Sequence, residues 1–243
     1  MGREVEKLCR EGYRGAELVC GVDPCYAGDD ELIFKSVAEV KNPEQIDCIV
    51  DFSHHSAVIG LLDFAIKHKI PTVVATTGHT ENELAAIKAA AEKIAVFYSR
   101  NMSLGIALLI ELARITALAM PEAEIEIVES HHNRKLDAPS GTALMIADML
   151  CEVKDGAFVK SGRSGQGKRD PKEIGIHAIR MGNIVGIHEV IVGTKNQTIT
   201  LKHEAHDRAL FAEGGLCAAE FIVGKGAGLY DMSSLVDGKA GAR

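Results

Sequence analysis

Tryptophan is absent from this chain of 243 residues, and aromatic residues of every kind amount to only 5%. Whatever core it builds is therefore aliphatic. Long apolar runs are missing as well: the longest, residues 104–112, is broken by Glu111 and falls well short of the ~20 residues that span a bilayer. Positive charge is in deficit, with 27 Lys and Arg against 34 Asp and Glu and a formal net charge of -7. That balance does not supply the basic field of a nucleic-acid binder. No CxxC pair occurs among six irregularly spaced cysteines (9, 20, 25, 48, 151 and 217), so they read as free thiols and not as a disulfide framework. The start, Met1-Gly2-Arg3-Glu4, runs into a charged helical pattern and not a secretory leader. Together these absences point to a soluble, cytoplasmic protein with no membrane and no nucleic-acid partner. The 47% of hydrophobic residues is ample for a core.

What is present first is an alternation. Residues 2–11 read as a helix with Val5 and Leu8 on one face, and residues 17–22 (ELVCGV) as a strand. Residues 47–52 (DCIVDF) form another strand, followed by an amphipathic helix over 55–69 with Val58, Leu61, Leu62, Ala65 and Ile66 at helical spacing. Residues 71–76 (PTVVAT) are a short, mostly apolar strand of the kind buried on both faces. Thr80 then opens a helix to Lys93, with Glu83 completing a capping box, and residues 94–98 are the next strand. This rhythm predicts a doubly wound parallel sheet. After Asn101 the pattern changes. Ser103 caps a long apolar helix to Met120, and residues 124–130 (EIEIVES) alternate as a strand with one wet face. A helix follows from Gly141, then a glycine-rich loop over 161–168 and strands over 174–180, 184–192 and 197–203. The last two read as an antiparallel pair with a turn near Lys195-Asn196. A final helix covers about 207–225. The second half thus reads as α+β with an open mixed sheet.

The chemistry concentrates in two places. Asp23 ends the run ELVCGV, where a carboxylate in a dinucleotide-binding fold accepts hydrogen bonds from ribose hydroxyls; a plain turn residue before Pro24 accounts for it equally well. Ala75-Thr76-Thr77-Gly78 and Ser99-Arg100-Asn101-Met102 both follow predicted strands, at the carboxyl edge where nucleotides bind such sheets. The second place is His131-His132-Asn133-Arg134-Lys135 directly after a strand, with Asp137-Ala138-Pro139-Ser140-Gly141-Thr142 leading into a helix. Pro139 and Ser140 suit a helix entry and N-cap. Gly141 and Thr142 then offer backbone N–H groups at the positive end of the helix dipole, a ready carboxylate site. The neighbouring histidines and lysine add charge and proton donors, as a small anionic substrate undergoing proton transfer requires. Three other patterns carry no function. Residues 162–168 satisfy G-x-x-x-x-G-K but continue into Arg169, Asp170 and Pro171, where a P-loop needs Ser or Thr and a helix. His203-Glu204-Ala205-His206 is one residue too short for a zinc-protease helix. The glycine-rich residues 224–228 end a helix and do not open one. No metal site is read.

The run ESHHNRKLDAPSGTA, residues 129–143, resembles the signature of the 4-hydroxy-tetrahydrodipicolinate (dihydrodipicolinate) reductases. Residues 51–53, 174–177, 184–186 and 228–232 are similar to further segments of that family, so the likeness covers nearly the whole chain. It implies a Rossmann-like doubly wound parallel sheet plus an α+β domain with an open mixed sheet. The dinucleotide-binding domain is expected over 1–101 and 213–243, and a substrate-binding and oligomerisation domain over 102–212. It implies hydride transfer from NADH or NADPH to a small dicarboxylate. The expected catalytic residues are His131 and Lys135. His132, Gly141 and Thr142 are expected to bind substrate. Met1, Asp23, Ala75, Thr76, Thr77, Ser99, Arg100, Asn101 and Met102 are expected to bind cofactor. A homotetramer is implied, assembled through the open sheet.

The sequence departs from the family pattern in places. Met1-Gly2-Arg3 resembles the tail of a G-x-x-G-x-M-G loop whose preceding strand and first two glycines are not in this sequence. A misplaced start or a true truncation both account for that, and the expected consequences are unpaired strand edges and fewer backbone donors for a pyrophosphate. Pro24 stands where a basic residue would favour NADPH, which tilts the reading towards NADH. Ala75 and Met181 stand where glycine is expected, and Ile187 where an acidic residue is. Two alternatives to the reductase follow: a non-catalytic relative that no longer binds cofactor, and a different nicotinamide-dependent dehydrogenase on the same fold.

Overall fold

The computed structural model describes residues 1–240. In chain order the elements are α1 (Gly2–Arg10), β1 (Gly21–Val22), β2 (Ile33–Phe34), β3 (Ile49–Asp51), α2 (Val58–His68), β4 (Thr72–Val74), α3 (Glu81–Ala91) and β5 (Ala95–Tyr98). They continue with α4 (Leu104–Ala119), β6 (Glu124–His131), α5 (Gly141–Val153), β7 (Phe158–Ser161), β8 (Glu173–Arg180), β9 (Gly186–Gly193), β10 (Thr198–Ala205), α6 (Ala209–Ile222), β11 (Gly228–Tyr230) and α7 (Met232–Ala240). Two compact units emerge: Met1–Ser103 with the segment from Ala209 onward, and Leu104–Arg208. Residues 241–243, which close the expected return segment, lie outside the described residues. Among the described residues no helix is long and apolar enough to cross a membrane.

The first unit holds a parallel sheet in the order β11-β5-β4-β3. The central strands β4 and β5 are mostly apolar because both their faces are covered; Val73, Val74, Val96 and Phe97 are fully buried. On one face Val74 and Val96 meet Leu62 and Ala65 of α2 and Ile87 and Ala90 of α3. The capping box at α3 forms as expected: Thr80 Oγ1 accepts from the Glu83 N–H at 3.3 Å, and the Glu83 carboxylate accepts from the Thr80 N–H at 2.7 Å. On the other face α6 lies close. A Cβ on Gly214 would sit 1.7 Å from the Met102 carbonyl oxygen, and one on Gly215 2.9 Å from the Phe52 ring. Phe221 of the same helix meets Phe97 edge-on at 6.3 Å.

Two details differ from the sequence reading. The strand expected over 17–22 forms a ladder only at Gly21–Val22, paired in parallel with β2, which was not anticipated. A β-prone run becomes strand only where a neighbour takes its backbone bonds, and residues 17–20 have no ladder partner among the described residues. β3 pairs with β4 and has no strand partner on its other side among the described residues, in keeping with the unpaired strand edge expected from the sequence. β7 and α7 also went unread, being short and weakly patterned.

The second unit is a mixed sheet in the order β10-β9-β6-β8-β7. β8 runs parallel to β6 and β7, while β9 is antiparallel to β6 and β10. The β9–β10 hairpin turns at Lys195-Asn196, with the Thr194 N–H donating to Gln197 O at 2.8 Å. α4 and α5 cover one face, where Ile125, Ile127, Ile146, Leu150, Ile174 and Val190 form the core. Strand alternation puts the next residues on the opposite face. There Glu126 bonds His177 at 3.0 Å and Lys202 pairs with Glu189 at 3.4 Å, beside the partly exposed Val128, Ile187 and Ile191.

Candidate active site

The period-two alternation of β6 explains where the chemistry sits. Ile125 and Ile127 point into the core under α5, so Glu129 and His131 point to the same side at the strand's carboxyl end. Register then supplies their neighbours: His131 lies opposite Arg180 on β8, and Glu129 opposite His188 on β9. Glu129 is fully buried and every lone-pair direction is used. Its Oε1 accepts from Arg180 Nη2 at 2.7 Å and from the Ser140 N–H at 3.0 Å; its Oε2 accepts from Arg180 Nη1 at 2.7 Å and bonds His131 Nδ1 at 2.6 Å. Burial alone would raise the Glu129 pKa, but the bonds from Arg180, His131 and Ser140 outweigh it and hold the carboxyl below the ordinary range. His131 is 9% exposed, and burial lowers its pKa against the pull of Glu129. Its other nitrogen, Nε2, lies 3.2 Å from where a Cβ on Gly186 would stand. His188 meets the His131 ring edge-on at 5.1 Å. Burial, aided by the charge of His131, pushes His188 down to about 4, so it is neutral near pH 7.

The loop after β6 is strapped to the β8–β9 turn. The His132 N–H donates to Ile184 O at 2.8 Å, the Asn133 N–H to Gly182 O at 3.3 Å, and Arg134 to Asn183 Oδ1 at 2.7 Å. His132 is partly buried and its Nδ1 has no partner among the described residues. Lys135 pairs with Asp137 at 2.9 Å and lies close enough to His131 to lower its pKa. Leu136, between Lys135 and Asp137, is 98% exposed. Arg180 returns to this loop through the Asp137 carbonyl at 2.6 Å. Ser140 caps α5 as the sequence suggests, its Oγ accepting from the Ala143 N–H at 3.2 Å while sharing a bond with His188 Nε2 at 3.2 Å. Gly141 and Thr142 form the first turn of that helix. All five residues expected in the substrate site therefore belong to this end of one unit. Sequence reasoning missed Arg180, His188 and the role of Glu129.

The residues expected to hold cofactor all belong to the first unit. Met1 is the N-cap residue of α1. Asp23 follows β1, and its Oδ1 accepts from the Cys25 N–H at 2.9 Å, so one oxygen serves the turn. Ala75 and Thr76 are buried behind β4, with the Ala75 N–H and Thr76 Oγ1 both donating to Asp51 O at 2.9 and 3.4 Å. Thr77 and Gly78 are exposed. Behind β5, Ser99 Oγ donates to Asn101 O at 2.7 Å and accepts from the Asn101 N–H at 3.2 Å; Asn101 Oδ1 accepts from the Ser103 N–H at 2.9 Å. Arg100 is exposed and Met102 buried. Beside these loops, Asp51 Oδ2 and both ring nitrogens of His79 are buried without partners among the described residues. Burial lowers the His79 pKa although Glu83 and Asp51 pull it up. Orphaned polar atoms at the carboxyl edge of a parallel sheet fit a polar ligand such as a dinucleotide. Among the described residues no group of three His, Cys, Asp or Glu is arranged to hold a metal.

Known proteins share the sequence and fold of this chain. The family model described as the dihydrodipicolinate reductase N-terminus matches residues 1–102, and that of the C-terminus residues 105–236. The 4-hydroxy-tetrahydrodipicolinate reductase of Caldanaerobacter subterraneus subsp. tengcongensis is 45% identical over 238 residues, 97% of this chain and 94% of that protein. Its counterpart from Clostridium novyi is 39% identical over 244 residues, 98% and 95% of the two chains. A solved structure of dipicolinate-bound dihydrodipicolinate reductase from Paenisporosarcina sp. TG-14 shares the fold with a TM-score of 0.79, at 24% identity over 95% of this chain and 92% of that one. Matched by both models and similar to these relatives almost end to end, the chain belongs to the dihydrodipicolinate reductase family.

Proposed function

We propose that this protein reduces 4-hydroxy-tetrahydrodipicolinate to tetrahydrodipicolinate with loss of water, a step of lysine and diaminopimelate biosynthesis, using NADH or NADPH. The observation that carries the reading is the buried imidazole of His131, held by Glu129, which Arg180 fixes in turn, beside Lys135 and the start of α5. The cofactor, when bound, supplies the hydride. Asp23, the loops after β4 and β5, and the start of α1 at Met1 hold it. In the substrate site Gly141 and Thr142 take one carboxylate at the positive end of α5, and His132 contacts the substrate. His131 and Lys135 handle protons. A dianion arriving beside His131 opposes the effect of burial and raises its pKa, so the imidazole takes up a proton with the substrate and can return it during reduction. Lys135 lends its cation to the same end of the substrate, which makes the conjugated imine a better hydride acceptor. A homotetramer assembled through the open face of the second unit is part of the proposal; the Val128, Ile187 and Ile191 side chains there support it.

The test is turnover of freshly made substrate, followed as loss of reduced-nicotinamide absorbance with each cofactor. We expect reduction by the wild-type chain and a loss of about 10²–10⁴-fold in kcat for His131→Ala. Wild-type rates in the histidine variant would remove His131 from the chemistry.

A further inference from the structure

Building on the reductase reading, we infer that Glu129 is a positioning residue that fixes the tautomer of His131, with Nδ1 protonated and Nε2 left bare for the reaction, and that Arg180 keeps Glu129 ionised for this task. The geometry leaves little choice. Glu129 accepts four hydrogen bonds, two of them from a guanidinium that cannot give up its proton. An ionised carboxylate only accepts, so the 2.6 Å contact with His131 requires the proton on Nδ1. In a neutral imidazole Nε2 is then a lone pair. Because the guanidinium balances the carboxylate charge, the ring can be neutral or cationic as the substrate demands and is not locked as a cation. The ring plane is set by the edge-on His188 and by Gly186, whose missing side chain leaves room at Nε2.

A plainer role exists for the same contacts. Glu129 ties β6 to β8 through Arg180 and to the start of α5 through Ser140. That stapling role makes no demand on the His131 tautomer, so the tautomer separates the two.

The experiment is a long-range proton–nitrogen correlation spectrum of the full chain labelled with ¹⁵N-histidine, with His131 assigned by substitution, alongside kcat, KM and pH–rate profiles. The wild type is expected to show His131 protonated at Nδ1 above neutral pH. In Glu129→Gln the amide oxygen takes the Oε1 place, keeping the bonds from Arg180 Nη2 and the Ser140 N–H, while its NH₂ takes the Oε2 place facing His131 Nδ1 and gives up the Arg180 Nη1 bond, so the ring proton moves to Nε2. We expect kcat to fall about 10²–10⁴-fold with KM changed less than about tenfold, as loss of the correct tautomer does in a serine protease triad. The limb of the pH profile belonging to His131 shifts to lower pH, since the nearest negative charge is gone. The other groups acting there are Lys135 and Asp137 on the following loop, Arg180 on β8 and His188 on β9, with His203 on β10 acting on His188; all are retained. Conversely, a wild-type His131 protonated at Nε2 overturns the inference without any variant, so misfolding of Glu129→Gln does not rescue it. An inverted tautomer with unchanged kcat and pH profile overturns the positioning role. Should the wild type fail to reduce 4-hydroxy-tetrahydrodipicolinate, the reductase reading falls by itself, and the spectrum still decides whether Glu129 sets the tautomer.

Discussion

Replacing Arg180 by Met is the most informative perturbation of stability. The guanidinium makes two bonds of 2.7 Å to Glu129 and further bonds to the Ile179 and Asp137 carbonyls at 2.8 and 2.6 Å. Methionine keeps much of the apolar stem and removes all four, leaving Glu129 charged and fully buried with only His131 and Ser140 for partners. Breaking a buried ion pair from one side costs about 3–5 kcal/mol, so that loss is expected near neutral pH. The pH dependence gives the argument its sign. In the wild type the Glu129 pKa is depressed, so its contribution is present above the unfolded carboxylate pKa and lost as pH falls through the folded value. Without Arg180, burial dominates and the folded pKa rises above the unfolded one; its contribution is then present in acid and lost as pH rises. His131 moves the same way, because Arg180 lowers its pKa in the wild type and that influence is removed. The destabilisation should therefore be smallest near pH ~4 and grow towards neutrality, by at most about 1.4 kcal/mol per pH unit for each proton involved. With no tryptophan to report, urea unfolding is best followed by far-ultraviolet circular dichroism at a series of pH values. A cost below about 1 kcal/mol that stays flat from pH ~4 to ~8 would refute this account of the Glu129–Arg180 pair.

Two glycines give sharp secondary predictions. Gly186→Ala brings a methyl within 3.2 Å of His131 Nε2; we expect kcat to drop by about tenfold or more with an unchanged circular dichroism spectrum, and an unaltered kcat would show that Nε2 does not work at that spot. Gly214→Ala drives a methyl to 1.7 Å from the Met102 carbonyl oxygen, a backbone atom that cannot swing aside. Its expected cost is at or above the upper end of the ~1–3 kcal/mol typical of overpacking, read as a lower urea midpoint.

The sequence was most readable where local chemistry and tertiary structure agree. Thr80 and Glu83 announce α3 because a capping box needs only residues three positions apart, and the runs TVV and AVF announce β4 and β5 because burial on both faces leaves them mostly apolar. Ser140 was legible as the cap of α5 for the same local reason. The residues that hold His131 were not, because they are brought together by register between strands 49 and 59 positions apart in the chain, as in the pairings of His131 with Arg180 and Glu129 with His188. One signal was nevertheless there. In EIEIVES the first two glutamates fall on one side of the strand, whereas Glu129 shares its side with Ile125 and Ile127. A carboxylate with the parity of the core must find a cation or a donor, and Arg180 and His131 are what it finds. β1 failed for the converse reason: residues 17–20 look like strand, but pairing depends on what lies beside them.

The interruption of the first unit by the second also imposes an order on synthesis. The chain from Leu104 to Arg208 leaves the ribosome as one continuous piece, whereas α6 and β11, which complete the earlier unit, come only afterwards. At about 5–20 residues per second the wait lasts on the order of ten seconds. Throughout it, Val50, Val73 and Phe97 lack the helix that covers their side of the sheet. The later-encoded unit can therefore finish folding first, and the half-built sheet is the surface of the nascent chain that most needs shielding.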